Sequence, residues 1–161
     1  MKSFLSRVPH FTITLFACLV LATSWTAGWA ADTAETYIGG LRKVQGEAMV
    51  IRGETTMPAT NGQHIVLGDV LKTGADGSMG IIFKDNTRLS LGPNSELTMT
   101  EYVFNPGKGD FAFFTKMAKG TASYISGSIG KLAPDTVTFE TPVATLGVRG
   151  TKFLAKVQGE D

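Results

Sequence analysis

Cysteine and histidine are nearly absent from this sequence. One cysteine and two histidines occur in 161 residues, and the cysteine, Cys18, lies in an N-terminal stretch with the pattern of an export signal. Removal of that stretch leaves no thiol for a disulfide. It also leaves His64 as the single histidine. An ordinary zinc site needs several cysteine and histidine ligands, so the sequence excludes one.

A hydrophobic run long enough to span a bilayer is missing too. Residues 11–22 form an apolar core that is shorter than the ~20 residues of a transmembrane helix. Basic residues precede this core, and small residues stand three and one positions before the bond between Ala30 and Ala31. The pattern predicts a signal peptide over residues 1–30, cleaved at that bond. We therefore expect a periplasmic or secreted protein without a stable membrane span.

Cys18 raises the alternative of a lipoprotein, because the residues before it resemble a lipoprotein cleavage box. Phe16 is large for its place in such a box, and the apolar run continues through Leu21, beyond the cysteine. These two departures favour a cleaved signal over lipidation.

An excess of one charge is also lacking. Removal of Lys2 and Arg7 with the signal lowers the number of basic residues from 15 to 13 against 14 acidic residues, a formal charge of −1. The remaining basic residues are scattered singly and form no stripe. The charge pattern therefore indicates neither nucleic acid nor an anionic membrane as the partner.

Catalytic motifs are missing as well. Ser126-Gly127-Ser128 does not form a Gly-x-Ser-x-Gly elbow, and residues 147–152 lack the Gly-Lys-Ser/Thr order of a phosphate loop. Three aspartates stand beside glycine or asparagine, where the carboxylate commonly bonds its own turn backbone rather than a metal: Asp69, Asp76 and Asp85. We expect no enzyme, no cofactor and no metal.

What the sequence does contain is alternation and tight turns. Turn residues recur about every 8–12 positions between runs rich in β-branched and aromatic residues. This rhythm predicts an all-β fold, a compact sandwich or a β-roll or β-helix-like domain of short strands over residues 44–158. A loose leader over residues 31–43 precedes it in this prediction. We expect a first strand over 44–51, a loop over 52–63, and strands rather than a helix between Phe111 and Ile125.

A glycine-flanked arginine marks the end of the predicted domain. Ala144, Leu146 and Val148 alternate with Thr145 and Gly147, as in a strand with one buried face. Gly147 and Gly150 flank Arg149 and lack side chains, which would let another group approach the arginine closely. Arg149 is then either a structural residue, held by a carboxylate or by carbonyls at the strand ends, or a residue that faces a ligand.

These residues also resemble the signature of FecR-type periplasmic domains. That signature is a Thr-Pro-Val-Ala-Thr-like run followed by Arg-Gly-Thr and an aromatic residue. Its counterparts here, the candidate binding or structural residues, are Arg149, Gly150, Thr151 and Phe153. The resemblance extends upstream through Gly68-Asp69 and Thr73-Gly74, and it covers about residues 44–157. It implies a bacterial envelope module for signal transduction that binds a protein or envelope partner.

The predicted signal peptide limits what this resemblance implies. FecR-type regulators place a cytoplasmic segment and a membrane span before the domain, whereas export is expected here from residue 1. We therefore expect the fold and the binding role, without control of a sigma factor. The alternative is a structural or adhesive envelope component that binds glycan or associates with itself. Self-association would use the final strand, which ends near Asp161.

Overall fold

The computed structural model describes residues 36–159. The predicted signal peptide, its cleavage site at Ala30 and Ala31, and the start of the expected leader lie outside the described residues. Twelve strands, one short α-helix and one 3₁₀ helix (Pro134–Thr136) occur in the described part, which confirms the all-β prediction. These elements are β1 (Gly39–Gln45), β2 (Ala48–Arg52), β3 (Thr55–Pro58), β4 (His64–Ile65), β5 (Val70–Thr73), β6 (Ser78–Phe83), β7 (Arg88–Leu91), β8 (Glu96–Asn105), β9 (Asp110–Ile125), α1 (Ser128–Leu132), β10 (Val137–Thr141), β11 (Ala144–Gly147) and β12 (Lys152–Val157).

One long strand, β9, connects two halves of a curled sheet. Its first half pairs with β8 on one side and with β10 on the other, and its second half pairs with β7 and β12. The first half of the sheet therefore has the order β3-β2-β5-β8-β9-β10-β11, and the second has the order β4-β1-β6-β7-β9-β12. Every pairing is antiparallel except that between β9 and β10. The sheet folds back on itself, as predicted for a roll or sandwich.

β9 bends at Gly120, where its pairing changes. Gly120 has a φ of +97°, a conformation that glycine adopts more readily than other residues. The register with β8 shifts just before it, between Glu96 and Leu97, as in a β-bulge. Ser95 stabilises the bend because its hydroxyl accepts from the Thr121 N–H at 2.9 Å and its own N–H donates to the Thr73 hydroxyl, also at 2.9 Å.

The core lies inside the curl and receives side chains from both halves of the sheet. Phe83 of β6 meets Phe113 of β9 edge-on, with ring centroids 5.1 Å apart, and Phe113 meets Tyr124 at 5.6 Å. Burial of each large apolar side chain contributes roughly 1.5–3 kcal/mol relative to exposure. The largest fully buried aliphatic side chains come from strands throughout the sheet, and include Leu41, Ile65, Leu71, Met79, Ile81, Leu89, Leu91, Leu97 and Met99.

The first strand differs from the prediction. β1 begins at Gly39, inside the expected leader of 31–43, because Ile38 and Leu41 are buried in the core. The expected single strand over 44–51 is two strands joined by a turn at Gly46, which has a φ of +61°. The backbone of Asp76 lies against Gly46 and leaves no room for a Cβ. The alternating sequence pattern continues across this turn, so it does not indicate the break between β1 and β2.

Two other segments also contain more structure than expected. The predicted loop over 52–63 includes β3, which pairs with β2 through residues such as Met57 opposite Val50. The stretch between Phe111 and Ile125 is strand throughout, so the preference for strands over a helix is confirmed. The turn that follows it holds α1, whose Ile129 is fully buried.

Candidate functional site

The residues singled out in the sequence lie where the sheet is open, around β11 and β12. A tight hairpin joins β10 to β11 through Pro142 and Val143. Thr141 fixes this hairpin, because its hydroxyl donates to the Ala144 carbonyl at 2.9 Å and accepts from the Ala144 N–H at 3.1 Å. Val143 at the tip is 91% exposed. The hairpin thus holds an apolar side chain out in solvent.

β11 lacks the buried face that its alternation predicted. All four of its residues are exposed, and Leu146 remains 43% accessible. The reason is topological: β11 pairs only with β10 and lies at the end of the sheet, where no layer covers it. Val148, just beyond the strand, is buried and donates its N–H to the Val137 carbonyl at 3.0 Å. Of the three residues predicted to face inward, Ala144, Leu146 and Val148, only Val148 is buried.

Arg149 lies in the loop between β11 and β12. Its guanidinium contacts the Asp135 carboxylate of the 3₁₀ helix at 2.7 Å. Both side chains face solvent, with 79% of Arg149 and 69% of Asp135 exposed. A Cβ added at Gly147 or Gly150 would meet nothing within 4 Å, so the expected close approach at these glycines does not occur. The arginine has a carboxylate partner and stays accessible.

The other two signature residues fasten β12 to the rest of the domain. The carbonyl of Thr151 accepts from the Ser126 N–H at 2.9 Å, at the end of β9. Phe153 stacks on Tyr124 with centroids 5.1 Å apart and meets Phe139 edge-on at 5.2 Å. The four residues therefore do not converge on one pocket. Phe153 and Thr151 stabilise the strand, while Arg149 and Gly150 lie on the exposed loop.

A groove of about 790 Å³ opens between the β10–β11 hairpin and β12. Its lining is mostly apolar, with Pro142, Val143 and Leu146 on the hairpin side and Ala155 and Val157 on β12. We refer to this groove, together with the unpaired edge of β12, as the C-terminal edge site.

The hydrogen-bond pattern shows which backbone groups of β12 are unpaired. The bond from Ser126 to Thr151 sets the alternation, so Phe153, Ala155 and Val157 direct their backbone groups at β9. The intervening residues direct their N–H and C=O groups away from β9, and β9 is the one strand paired with β12 in the described chain. Of these, Leu154 has a side chain that is 76% exposed.

A second groove, of about 430 Å³, lies at the other end of the domain. Tyr37, Tyr102 and Phe104 contribute aromatic rings to it. The Lys84 ammonium lies 3.9 Å from the centre of the Tyr37 ring, and His64 stacks on the same ring with centroids 4.3 Å apart. Sequence analysis did not find this groove, because its residues come from distant parts of the chain.

Asp85 is the centre of a buried polar cluster. Its carboxylate accepts from the Thr87 N–H and hydroxyl at 3.1 and 2.6 Å, from the Ile129 N–H at 3.1 Å, and from the Tyr102 hydroxyl at 3.3 Å. The bond to Thr87 is the turn interaction expected for this aspartate. The other bonds link the β6–β7 turn to α1 and β8. These protein donors occupy both carboxylate oxygens, which makes Asp85 a structural anchor.

Tyr102 and Tyr124, which lie at this cluster, have raised pKa values. Burial raises the pKa of the Tyr102 phenol well above its usual value, and the nearby negative charge of Asp85 raises it further. Burial also raises the pKa of Tyr124. The Tyr124 hydroxyl lies near Thr87 and Ser126, yet it forms no hydrogen bond within the described residues. Both phenols are therefore held in their neutral form.

Asp69 is a second buried carboxylate and has a cationic partner. Arg52 donates to its two oxygens, with both bonds at 2.8 Å, while the Val66 N–H donates to it at 2.9 Å. This pair could not be predicted from the sequence, because its members lie 17 positions apart. Asp76, the third aspartate expected at a turn, accepts from the Glu47 N–H at 3.2 Å.

Within residues 36–159, no group of three or more His, Cys, Asp or Glu side chains is placed to hold a metal ion. In the same residues, no helix is long and apolar enough to cross a membrane.

The fold and the site together define an all-β domain with an open strand edge beside an apolar groove. The sequence profile of a known family, described as FecR protein, matches residues 69–161, more than half of the chain. The chain belongs to the FecR family. Members of this family are regulatory and signalling proteins, and FecR domains are typically found in the bacterial envelope. No curated protein and no solved structure matches the chain.

The fold extends beyond the part that matches the family. β1 to β4 precede Asp69, yet β1 pairs with β6 and β2 pairs with β5. Leu41 and Val50 from these early strands are fully buried. The segment before the matched region is therefore part of the same sheet and core.

Proposed function

We propose that this chain is a non-enzymatic binding and signalling module of the cell envelope that contacts a protein partner through its C-terminal edge site. The proposal includes export through a signal peptide over residues 1–30, cleaved between Ala30 and Ala31, and a periplasmic or secreted location. Membership of the FecR family supports the signalling role.

The observation that carries the protein contact is the unpaired edge of β12 next to an apolar groove. Unpaired strand edges are templates for another strand, and natural proteins usually shorten or cover them. β12 has six residues. Leu154 on this strand and Val143 across the groove both expose most of their surface to solvent. Strand addition supplies affinity through backbone bonds and specificity through alternate side chains. The C-terminal edge site offers both features.

The geometry of the acidic residues supports a role without catalysis. Asp69 and Asp85, the two carboxylates that are fully buried within residues 36–159, accept hydrogen bonds from several protein donors each. A general base needs a carboxylate or imidazole within reach of a substrate proton in a cleft. The oxygens of Asp69 and Asp85 instead accept hydrogen bonds from Arg52, Val66, Thr87 and Ile129. These bonds give both carboxylates a structural role.

Site-specific photo-cross-linking in the native bacterium tests the protein contact. A photoreactive residue at Leu154 should give a discrete adduct with one envelope protein, which mass spectrometry would identify. Ile82 is the matched control, because it is 40% exposed on a strand that is paired on both sides. Equal adducts from both positions, or none from Leu154, would show that the C-terminal edge site is not the contact.

Substitution at Leu154 separates backbone pairing from side-chain contact. Leu154→Pro removes the backbone N–H of residue 154, which faces away from β9, and edge strands tolerate a proline at such a position. Leu154→Thr keeps this N–H and changes only the side chain. We expect Leu154→Pro to lose the partner and Leu154→Thr to retain most of the binding. Thermal unfolding of both variants establishes that each one folds.

N-terminal sequencing of the protein from the periplasmic fraction and the medium tests the proposed export. A mature chain that begins at Ala31 supports cleavage after Ala30. A chain that still carries Met1, recovered only with the cytoplasm, would rule out the signal peptide.

A second candidate function is glycan binding at the Tyr37 groove. Tyr37 is 44% exposed, and the rings of Tyr102 and Phe104 line the same groove. Aromatic rings of this kind present a flat apolar surface with polar neighbours. Co-sedimentation with purified peptidoglycan, compared between the wild type and Tyr37→Ala, tests it. Sedimentation that does not depend on Tyr37 removes this candidate.

A further inference from the structure

We infer that the occupant of the β12 edge is an extended acidic segment of a different protein, with the pattern acidic-x-apolar-x-acidic. This inference rests on the proposed function, since it specifies the chemistry of the partner at the same C-terminal edge site. Its basis is the placement of two lysines along the unpaired edge.

Lys152, Leu154 and Lys156 share one face and one edge of β12. They alternate with Phe153 and Ala155, which pack against the core, so their side chains all point to the solvent face. Their backbone groups are also the ones directed away from β9. An incoming antiparallel strand would therefore place a residue directly opposite each of them, with side chains on the same face.

The two lysines are available for such a partner. Both side chains are exposed, and neither forms an ion pair with any other residue between 36 and 159. They lie four positions apart in the sequence, which corresponds to about 14 Å along a strand. Carboxylates at matching positions of the added strand would face both ammonium groups, and an apolar residue between them would cover Leu154.

The same spacing disfavours a second copy of this chain. If two β12 strands paired antiparallel with full overlap, Leu154 would face its own copy and Lys152 would face Lys156 twice. Like charges directly opposite each other destabilise a strand pair, and edge lysines are a common protection against self-pairing. Charge complementarity therefore points to an acidic strand from another protein rather than to a homodimer.

Binding of three synthetic peptides tests the inference. The peptides have Glu-Thr-Leu-Thr-Glu, Gln-Thr-Leu-Thr-Gln or Lys-Thr-Leu-Thr-Lys at the centre and are otherwise identical. Titration is followed by NMR shifts of the backbone amides of Lys152–Val157. We expect the acidic peptide to bind about tenfold more tightly than the basic one at low salt, because two cross-strand ion pairs replace two repulsions. High salt should reduce this difference.

Charge reversal provides the matched control. Lys152→Glu combined with Lys156→Glu should invert the order, so that the basic peptide binds best. Lys43→Glu combined with Lys108→Glu makes the same change in net charge on two exposed lysines, one on β1, which β6, β7 and β9 separate from β12, and one in the β8–β9 turn. It should leave the order unchanged. An order that follows net charge alone would overturn the inference.

The remaining outcomes are also decisive. Equal binding of all three peptides, lost in Leu154→Pro, would overturn the acidic partner and leave the edge contact standing. Binding of none of them, or concentration-dependent dimerisation through β12 in sedimentation experiments, would overturn the inference as well. The photo-cross-linking at Leu154 judges the proposed function separately, so the two proposals can fail independently.

Discussion

Gly120 and Ser95 are packed against each other so closely that no side chain fits at position 120. A Cβ placed there would collide with the Cα and the side chain of Ser95. The positive φ of Gly120 adds strain for any other residue. This contact lies where β9 passes from one half of the sheet to the other, so both halves depend on it.

Gly120→Ala should therefore destabilise the domain by about 3–5 kcal/mol, the range of a collision with backbone combined with left-handed strain. Gly109→Ala is the matched control. Gly109 also has a positive φ, of +75°, but nothing lies within 4 Å of its added Cβ. We expect a loss of about 1 kcal/mol there. Urea unfolding measures both, and equal losses would refute the close packing at Gly120.

Truncation to alanine should lower the stability of the domain far more at Phe153 than at its neighbour Leu154. Phe153→Ala removes the ring contacts with Tyr124 and Phe139 and should cost about 3 kcal/mol. Leu154→Ala removes a side chain that is mostly in solvent and should change stability by less than about 0.5 kcal/mol. Denaturant unfolding of the two variants checks the facing of β12. A large loss from Leu154→Ala would mean that the strand faces the other way.

The exposed pair of Arg149 and Asp135 should contribute little to stability. Solvent-exposed ion pairs are typically worth about 0–1 kcal/mol. Arg149→Ala and Asp135→Ala should therefore each shift the unfolding free energy by less than about 1 kcal/mol. The double variant should show little coupling between them. A loss above about 2 kcal/mol in either single variant would indicate that Arg149 locks the closing strands.

Arg52 should matter far more, because its partner is fully buried. Arg52→Met leaves the Asp69 carboxylate without its two charged hydrogen bonds and should cost about 3 kcal/mol. Lys72→Met is the control, since Lys72 pairs with Glu96 at 3.2 Å at an exposed position, where the cost should be under about 0.5 kcal/mol. Chemical unfolding of both variants decides this, and similar losses would contradict the assignment.

Alkaline pH should destabilise the domain through Tyr124, which is buried, and Tyr102, which is partly buried. Their pKa values are raised in the folded state, so their contribution is fully present below the unfolded-state pKa of about 10 and is lost as pH rises above it. Tyr124→Phe should reduce this alkaline loss at almost no cost at pH 7, because its hydroxyl has no hydrogen bond in the described part.

Tyr102→Phe is the informative comparison for the alkaline experiment. It should also reduce the loss above pH 10, yet it should cost about 1–2 kcal/mol at pH 7. The reason is that the Tyr102 hydroxyl accepts from the Asp85 N–H at 2.9 Å and donates to the Asp85 carboxylate. Stability measured between pH 7 and 11 for both variants checks this. Identical behaviour at pH 7 would show that the Tyr102 bonds contribute nothing.

Local features of the fold could be predicted from the sequence. The alternation of Met79, Ile81 and Phe83 with Gly80 and Ile82 predicts one buried face, and these three residues are the buried ones of β6. Asn86, a residue type that tolerates the left-handed conformation of tight turns, has a φ of +65° between β6 and β7. Of the adjacent rings of Phe113 and Phe114, only that of Phe113 is fully buried, because successive side chains of a strand point to opposite faces. Short-range sterics decide each of these features.

The parts that could not be predicted depend on contacts between distant residues. The pairing of β9 with four strands, the ion pair of Arg52 with Asp69 and the exposure of β11 all follow from topology. Periodicity predicts which face of a strand is buried only when another layer covers it. Leu146 shows this limit, since its pattern is typical of a core strand and its position is at the end of a sheet. Only the register of β12 with β9 shows that Lys152 and Lys156 lie on the unpaired edge.

The continuity of β9 has a consequence for cooperativity. Its sixteen residues supply hydrogen bonds to β7, β8, β10 and β12, so neither half of the sheet can melt while the other survives. Unfolding should follow a single all-or-none transition, with equal calorimetric and van't Hoff enthalpies. A strand added to β12 would then raise the melting temperature of the whole domain, including β2 and β3 at the far edge, through mass action alone.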